Sequence, residues 1–414
     1  MSDESRPTVI EEPRLTTRRR RARRRLPRHV VVAMPLALAG LISLLVSGNT
    51  LRPFERITTI QAKMASKSDY FKDPEVQRLL LEHGIRVEIQ RLGSRGIAQQ
   101  SLKGMDVVFP SGQPAAMIIL DKENRTLDSV RPFVTPLVLA TFRDYAETLE
   151  AQGVAKPQKS GGDTLYYNLD MDKFTELLDG EGADKGAGPA DTWNAIGFST
   201  VNKGESNGGR VLVRTSSVCE SNSAGTYLSI LSFVQNKQRV PVAEDQVLDL
   251  AKQVKPLINL QGMWADEQAD SYFSGEGESI APIAVIYEHQ FLAHQLAYYK
   301  KHKKQDTERV LLYPTPYALT EPQLIGLTDE GDRLVEIIKT DTELRQRATE
   351  LGFRVRFSGE EGSSEQLNAY LRQHEIQVPA RNRDQTKVDI PDLNVLEQII
   401  NYVGNCEASE EAAP

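Results

Sequence analysis

ITTIQAKMASKSDYFKDPEVQRLLLEHGIRVEIQRL, residues 57–92, decides the fold. Ile57 to Ala65 alternates apolar and polar side chains as a strand does. Asp73-Pro74 then opens a helix to His83, and Ile85 to Leu92 alternates again as a second strand. Strand, helix and strand in this order make a βαβ unit, which requires a parallel sheet covered by helices. Outward from it, Ser94 to Ser101 reads as a short helix, Met105 to Phe109 as a buried strand, and Ala115 to Leu120 as another strand.

At Pro132 the pattern changes. An apolar, β-rich run broken by Pro136 leads into a helix from about Phe142 to Gln152, and it reads as a crossing between two lobes. Lys156 to Asp163 and Gly180 to Asp191 are Gly-rich and polar, hence loops, with a helix from Met171 to Leu178 between them. Arg210 to Arg214 reads as a short strand, and Ser221 to Asn236 and Val242 to Val254 as helices. Pro282 to Tyr287 returns as an apolar strand. A helix from Glu288 to about His302, a strand from Val310 to Tyr313, and helices Asp329 to Leu351 and Leu393 to Val403 complete the chain. The expected architecture is α/β and two-lobed. Lobe one comprises 57–131 and 281–404, lobe two 132–280, and an acidic tail fills 405–414.

Before this body stands a different kind of sequence. Val30 to Gly48, VVVAMPLALAGLISLLVSG, is nineteen uncharged residues, the length of a transmembrane helix. Residues 1–29 hold ten Arg against Asp3, Glu4, Glu11 and Glu12, a net of +6, while the chain totals −7. Basic sequence directly before an apolar span keeps that end in the cytoplasm and sends the remainder out. The expectation is a cytoplasmic tail at 1–29, an uncleaved signal anchor in membrane lipid at 30–48 and a stalk at 49–56. Cleavage after the span would instead give a secreted protein.

The remaining chain is acidic, which excludes nucleic acid as its partner because phosphate neutralisation needs a basic face. A hydrophobic fraction of 40% and a charged fraction of 26% are ordinary globular values and exclude a wholly disordered chain. Two cysteines and six scattered histidines make no zinc ligand cluster, and no metal or cofactor is expected. Cys219 reads as a small buried hydrophobe; its pairing with Cys406 cannot be read from spacing. There is no nucleophile elbow, phosphate-cradling Gly loop or H-E-x-x-H, so the chain reads as no enzyme.

In open α/β lobes, ligands bind where strands end and helices begin. Ser66-Lys67-Ser68 follows the first strand, Gly93-Ser94-Arg95 the second and Pro110-Ser111-Gly112 the third. Ser221, Asn222, Ser223 and Thr226 open the middle helix. Helix N-termini offer free N–H groups and a positive dipole end, Lys67 and Arg95 add charge, and Arg binds oxyanions bidentately. Tyr287 and Glu288 close the returning strand and complete the candidate set. Each Ser or Asn is first of all an N-cap, and only their joint occurrence points to an anion.

With these residues laid out, the chain resembles the type 2 periplasmic binding-protein superfamily, the solute-binding components of bacterial ABC transporters. The resemblance covers roughly residues 57–404. It rests on SKSDYFKDPEVQRLLLEHGIRVEIQRLGSRGIA, VVFPSGQPAA, SNSAGTYLSIL, IAVIYEHQ, VLLYP and LTDEGDRLVEIIKTD. It implies two lobes joined by two crossing strands, a small-molecule or oxyanion ligand between them, and an ABC permease as partner. Ser223, Gly225 and Thr226 are similar to the Ser-Gly-Thr helix start of phosphate-type members, with Ala224 interrupting it. An envelope sensor or scaffold on the same fold is the alternative, suggested by the retained anchor and Arg-rich tail.

Overall fold

The structure is a computed structural model that describes residues 57–123, 127–158, 164–179, 192–241, 243–259, 263–264, 268–356, 364–380 and 386–406. The expected cytoplasmic tail, membrane anchor and stalk lie outside the described residues, as do 159–163, 180–191 and 407–414. Among the described residues no helix is long and apolar enough to cross a membrane.

Strands are numbered along the chain: β1 (Thr58–Met64), β2 (Ile85–Arg91), β3 (Val107–Phe109), β4 (Ser129–Val130), β5 (Phe133–Phe142), β6 (Ala155–Pro157), β7 (Tyr166–Asp170), β8 (Val213–Ser216), β9 (Met263–Trp264), β10 (Ile283–Tyr287), β11 (Arg309–Thr315), β12 (Leu319–Thr320), β13 (Leu324–Gly326) and β14 (Arg354–Val355). A five-stranded sheet has the order β2-β1-β3-β13-β4. Its β2, β1 and β3 run parallel, as the opening βαβ unit requires. A larger sheet runs β6-β7-β11-β5-β10-β8-β9, with β12 and β14 also on β5.

Local chemistry sets these elements. Asp73 caps the helix Pro74–Glu82, its carboxylate accepting from the Glu75 and Val76 N–H groups at 3.1 Å. That helix buries Val76, Leu79 and Leu80 against the core of the smaller sheet, which also holds Ile60, Phe109 and Phe133. The larger sheet has its own core, reaching from Leu137 to Val403.

β5 joins the two. Phe133 packs in the smaller core while Leu137 to Ala140 pack in the larger one. The strand pairs in turn with β14, with β12 at Thr135 and Pro136, and with β10 and β11 beyond Leu137. The return path leaves the larger sheet at β11 and re-enters the smaller one at β13.

Four local readings change. Ala115 to Leu120 lies in a helix, Gln113–Lys122, because Pro114 sits in its first turn and Ala115, Ala116 and Ile119 share a buried face. The expected strand Arg210 to Arg214 is shifted, with β8 covering Val213–Ser216. The single helix expected from Asp329 to Leu351 is two, Asp329–Thr340 and Thr342–Glu350. Asp341 turns extended between them, and its side chain accepts from Leu344 N–H. Finally, β10 and β11, expected in lobe one, are paired along β5 in the larger sheet, as their unbroken apolar runs allow on a strand buried on both sides. The helices Ser364–Gln373 and Leu393–Gly404, also expected in lobe one, bury Leu371 and Ile399 in the larger core.

Candidate ligand cleft

Three parallel strands in register bring their carboxyl ends to one edge, and the hydroxyl loops meet there. Ser66 and Ser111 share a hydrogen bond at 2.7 Å between Oγ atoms, and Ser94 Oγ accepts from the Ser111 N–H at 2.8 Å. Taking the two lobes as the smaller and the larger sheet with the core packed on each, the larger lobe supplies the helix Asn222–Gln235, whose Asn222 amide donates to Tyr287 Oη at 3.2 Å and lies 3.4 Å from Thr226 Oγ1. The Lys67 ammonium stands 3.0 Å from the centre of the Tyr287 ring, a cation–π contact that bridges the lobes. Lys67, Ser68, Ser94, Ser111 and Tyr287 are all buried.

The lobes are pressed together at two glycines. A Cβ on Gly112 would stand 2.1 Å from Asn222 Oδ1, and one on Gly93 would stand 2.3 Å from the Glu220 carbonyl oxygen. At Gly93 the neighbour is backbone and only glycine permits the approach, whereas at Gly112 it is the end of the Asn222 side chain. The cavity left between Gly112, Gln113, Asn222, Thr226 and Glu397 has a volume of about 40 Å³. A water needs roughly 10–15 Å³ by this measure, so the closed cleft holds a few waters and opening is required for a larger guest.

Two buried polar atoms near this region have no hydrogen-bond partner among the described residues: Ser68 Oγ and His289 Nε2. Burial and then the Lys67 charge push the His289 pKa well below its ordinary value, so the ring is neutral. Thr135 Oγ1 accepts from His289 N–H at 3.4 Å and lies 3.3 Å from Nδ1. Sequence reading passed over His289 because it forms no spaced pair with His294 or His302. Its signal was its place at a strand end entering a helix, the same position that singled out Ser66 to Ser68.

Other candidates have different work. Arg95 borders the same cavity, but it is 5% exposed and its guanidinium is saturated by protein. It forks onto both Glu397 oxygens and donates to the Val218 and Cys219 carbonyls at 3.3 and 3.1 Å. Glu288 is likewise taken. Arg354 donates to both its oxygens at 2.6 Å, and Tyr313 Oη donates to Oε1 at 2.7 Å. Burial alone would weaken the Arg354 cation, but Glu288 outweighs it and raises the guanidinium pKa above its ordinary value. Ser221 and Ser223 satisfy each other at 2.8 Å. Cys219 is no isolated hydrophobe but is disulfide-bonded to Cys406. Among the described residues no group of His, Cys, Asp or Glu could hold a metal ion.

No protein-family model matches the chain, and no curated protein matches it. Solved structures do. The periplasmic binding protein AfuA from Actinobacillus pleuropneumoniae, with fructose-6-phosphate bound, is 12% identical at a TM-score of 0.47, covering 83% of this chain and 97% of its own. An ABC transporter structure from Clostridium perfringens is 11% identical at a TM-score of 0.45, with 84% and 98% covered. The periplasmic molybdate-binding protein of Azotobacter vinelandii is 11% identical at 0.39, with 71% and 98% covered.

Proposed function

We propose that the chain is an extracytoplasmic solute-binding protein that captures a small anion between its lobes and delivers it to a permease of the ABC type. The observation that carries this reading is the convergence of Lys67, Ser66, Ser94 and Ser111 from one lobe on Asn222 and Tyr287 from the other. Anion chemistry follows from charge. Of the two cationic candidates, Arg95 is paired with Glu397, and the buried Lys67 ammonium lies against the Tyr287 ring where the serine loops meet, which favours an anionic guest. The disulfide supports an oxidising compartment outside the cytoplasm, consistent with membrane attachment through residues 30–48.

A ligand that binds only the folded state raises the melting temperature by mass action. Phosphate, molybdate, sulfate and a phosphate monoester should be titrated against the body from residue 57, with sugars and amino acids as neutral and zwitterionic controls. At least one anion is expected to raise the melting temperature, and Lys67→Met to abolish the shift while the variant still melts cooperatively. A neutral ligand that binds Lys67→Met as well as wild type would overturn the anion reading. The sensor alternative is separated by partner: co-purification of the full chain with a permease supports transport, whereas capture of a signalling protein through residues 1–29 supports sensing.

A further inference from the structure

We propose that Arg95 is a ligand-independent latch between the lobes, in a socket that the Cys219–Cys406 disulfide assembles. Arg95 belongs to the helix Ser94–Gln99, which packs on the smaller sheet through Ile97 and Ala98. Every acceptor of its side chain belongs to the other lobe. Glu397 and Asn401 lie on the helix Leu393–Gly404, while Val218 and Cys219 lie in the loop after β8. Its backbone joins in, the Arg95 N–H donating to the Glu220 carbonyl at 3.1 Å.

The socket has two halves remote in sequence, and the disulfide links them across 187 residues. One half supplies neutral carbonyls, the other the carboxylate. Cys219 sits in the carbonyl half, and Cys406 follows directly on the helix that carries the carboxylate. Gly404 allows that helix end to lie against the bond, since a Cβ there would stand 2.6 Å from Cys219 Sγ. A rigid pair of half-sockets suits a guanidinium, whose planar fork needs its acceptors fixed in advance. Arg95 and Glu397 border the cavity, but their polar groups are engaged by each other and by the Val218 and Cys219 carbonyls, so the latch forms with no ligand present. An opening motion of the kind that hinged binding folds undergo must break it.

The test needs no ligand. Hydrogen exchange of the Arg95 amide and small-angle scattering should be measured on wild type, Glu397→Gln and the double variant Cys219→Ser/Cys406→Ser. The latch predicts at least tenfold faster exchange at Arg95 and a larger radius of gyration in Glu397→Gln, with the amides of β5 still protected as evidence of an intact fold. Unchanged exchange and radius in Glu397→Gln would overturn the latch. Faster exchange in the double variant supports the disulfide's part, and wild-type exchange there overturns that part. Should the double variant fail to fold, treating the wild-type protein with a dithiol, which takes up the disulfide and is itself oxidised, gives the same comparison. Anion titrations play no part in these readouts, so they stand apart from the fate of the proposed function.

Discussion

Two buried arginine–glutamate pairs span the lobes, and they differ in what else connects their partners. Glu288 follows β10 and Arg354 lies in β14, and both strands are bonded to β5. Opening the lobes about β5 need not separate them. Arg95 and Glu397 share no strand and are 302 residues apart in sequence, so they meet only through contacts made across the lobes, the Val218, Cys219 and Glu220 carbonyls among them. One pair therefore lies on the strand that joins the two sheets, and the other, as the proposed latch, would restrain an opening about that strand. Equal chemistry gives unequal roles because the backbone around each pair differs.

The sharpest way to break this contrast is at the hinge. Glu288→Ala removes the carboxylate and strands a buried guanidinium and the Tyr313 hydroxyl, a loss of about 3–5 kcal/mol for breaking a buried pair. Chemical denaturation should show the midpoint falling with no change in the native radius. Gly93→Ala is expected to act oppositely. A Cβ 2.3 Å from the Glu220 oxygen forces the lobes apart, at a cost of about 1–3 kcal/mol typical of overpacking. Its native radius of gyration should rise while β5 remains protected. Arg95→Lys keeps the charge and loses the fork. Because Glu397 keeps 26% of its side-chain surface in water, stability should fall by only about 1 kcal/mol, with the interlobe restraint weakened. If Arg95→Lys instead destabilises as strongly as Glu288→Ala, the two pairs do the same work and the contrast fails.

What the sequence revealed follows the same division between local and distant. The βαβ unit was legible because each of its signals lies within a few residues: the period-two alternation of β1 and β2, and Asp73-Pro74 capping the helix between them. The serine loops were legible for the same reason, since strand ends and helix starts are local. The partner of Arg95 was hidden, because Glu397 lies in the last helix and no pattern near Arg95 announces it. The pairing of Cys219 with Cys406 was hidden in the same way. Residues 115–120 were misread for a local reason: a short apolar run suits either a strand or a buried helix, and Pro114 in the first turn decided it. The strands at 283–287 and 309–315 were recognised as strands but placed in the wrong sheet, because register against β5 is a tertiary property.

The smallest expected effect separates the two pairs by pH. His289 adjoins Glu288 in sequence, and its ring stacks on Phe353, the neighbour of Arg354, at 4.0 Å between centroids. Its folded pKa is depressed, first by burial and then by Lys67, whereas the unfolded value is near 6.5. Above that value both states carry a neutral ring and stability is fully present. As pH falls below it, the unfolded chain binds a proton that the folded chain refuses, and stability drops toward the lower folded pKa. Between pH 7.5 and 5.5 the loss should be about 1 kcal/mol, read from denaturant midpoints, and His289→Gln should remove it. The Arg95 latch is built from a guanidinium, a carboxylate and backbone carbonyls and contains no histidine. Exchange at the Arg95 amide through local opening should therefore stay constant once corrected for the intrinsic pH dependence of exchange. A parallel loosening of Arg95 would mean that hinge and latch are coupled through the cleft.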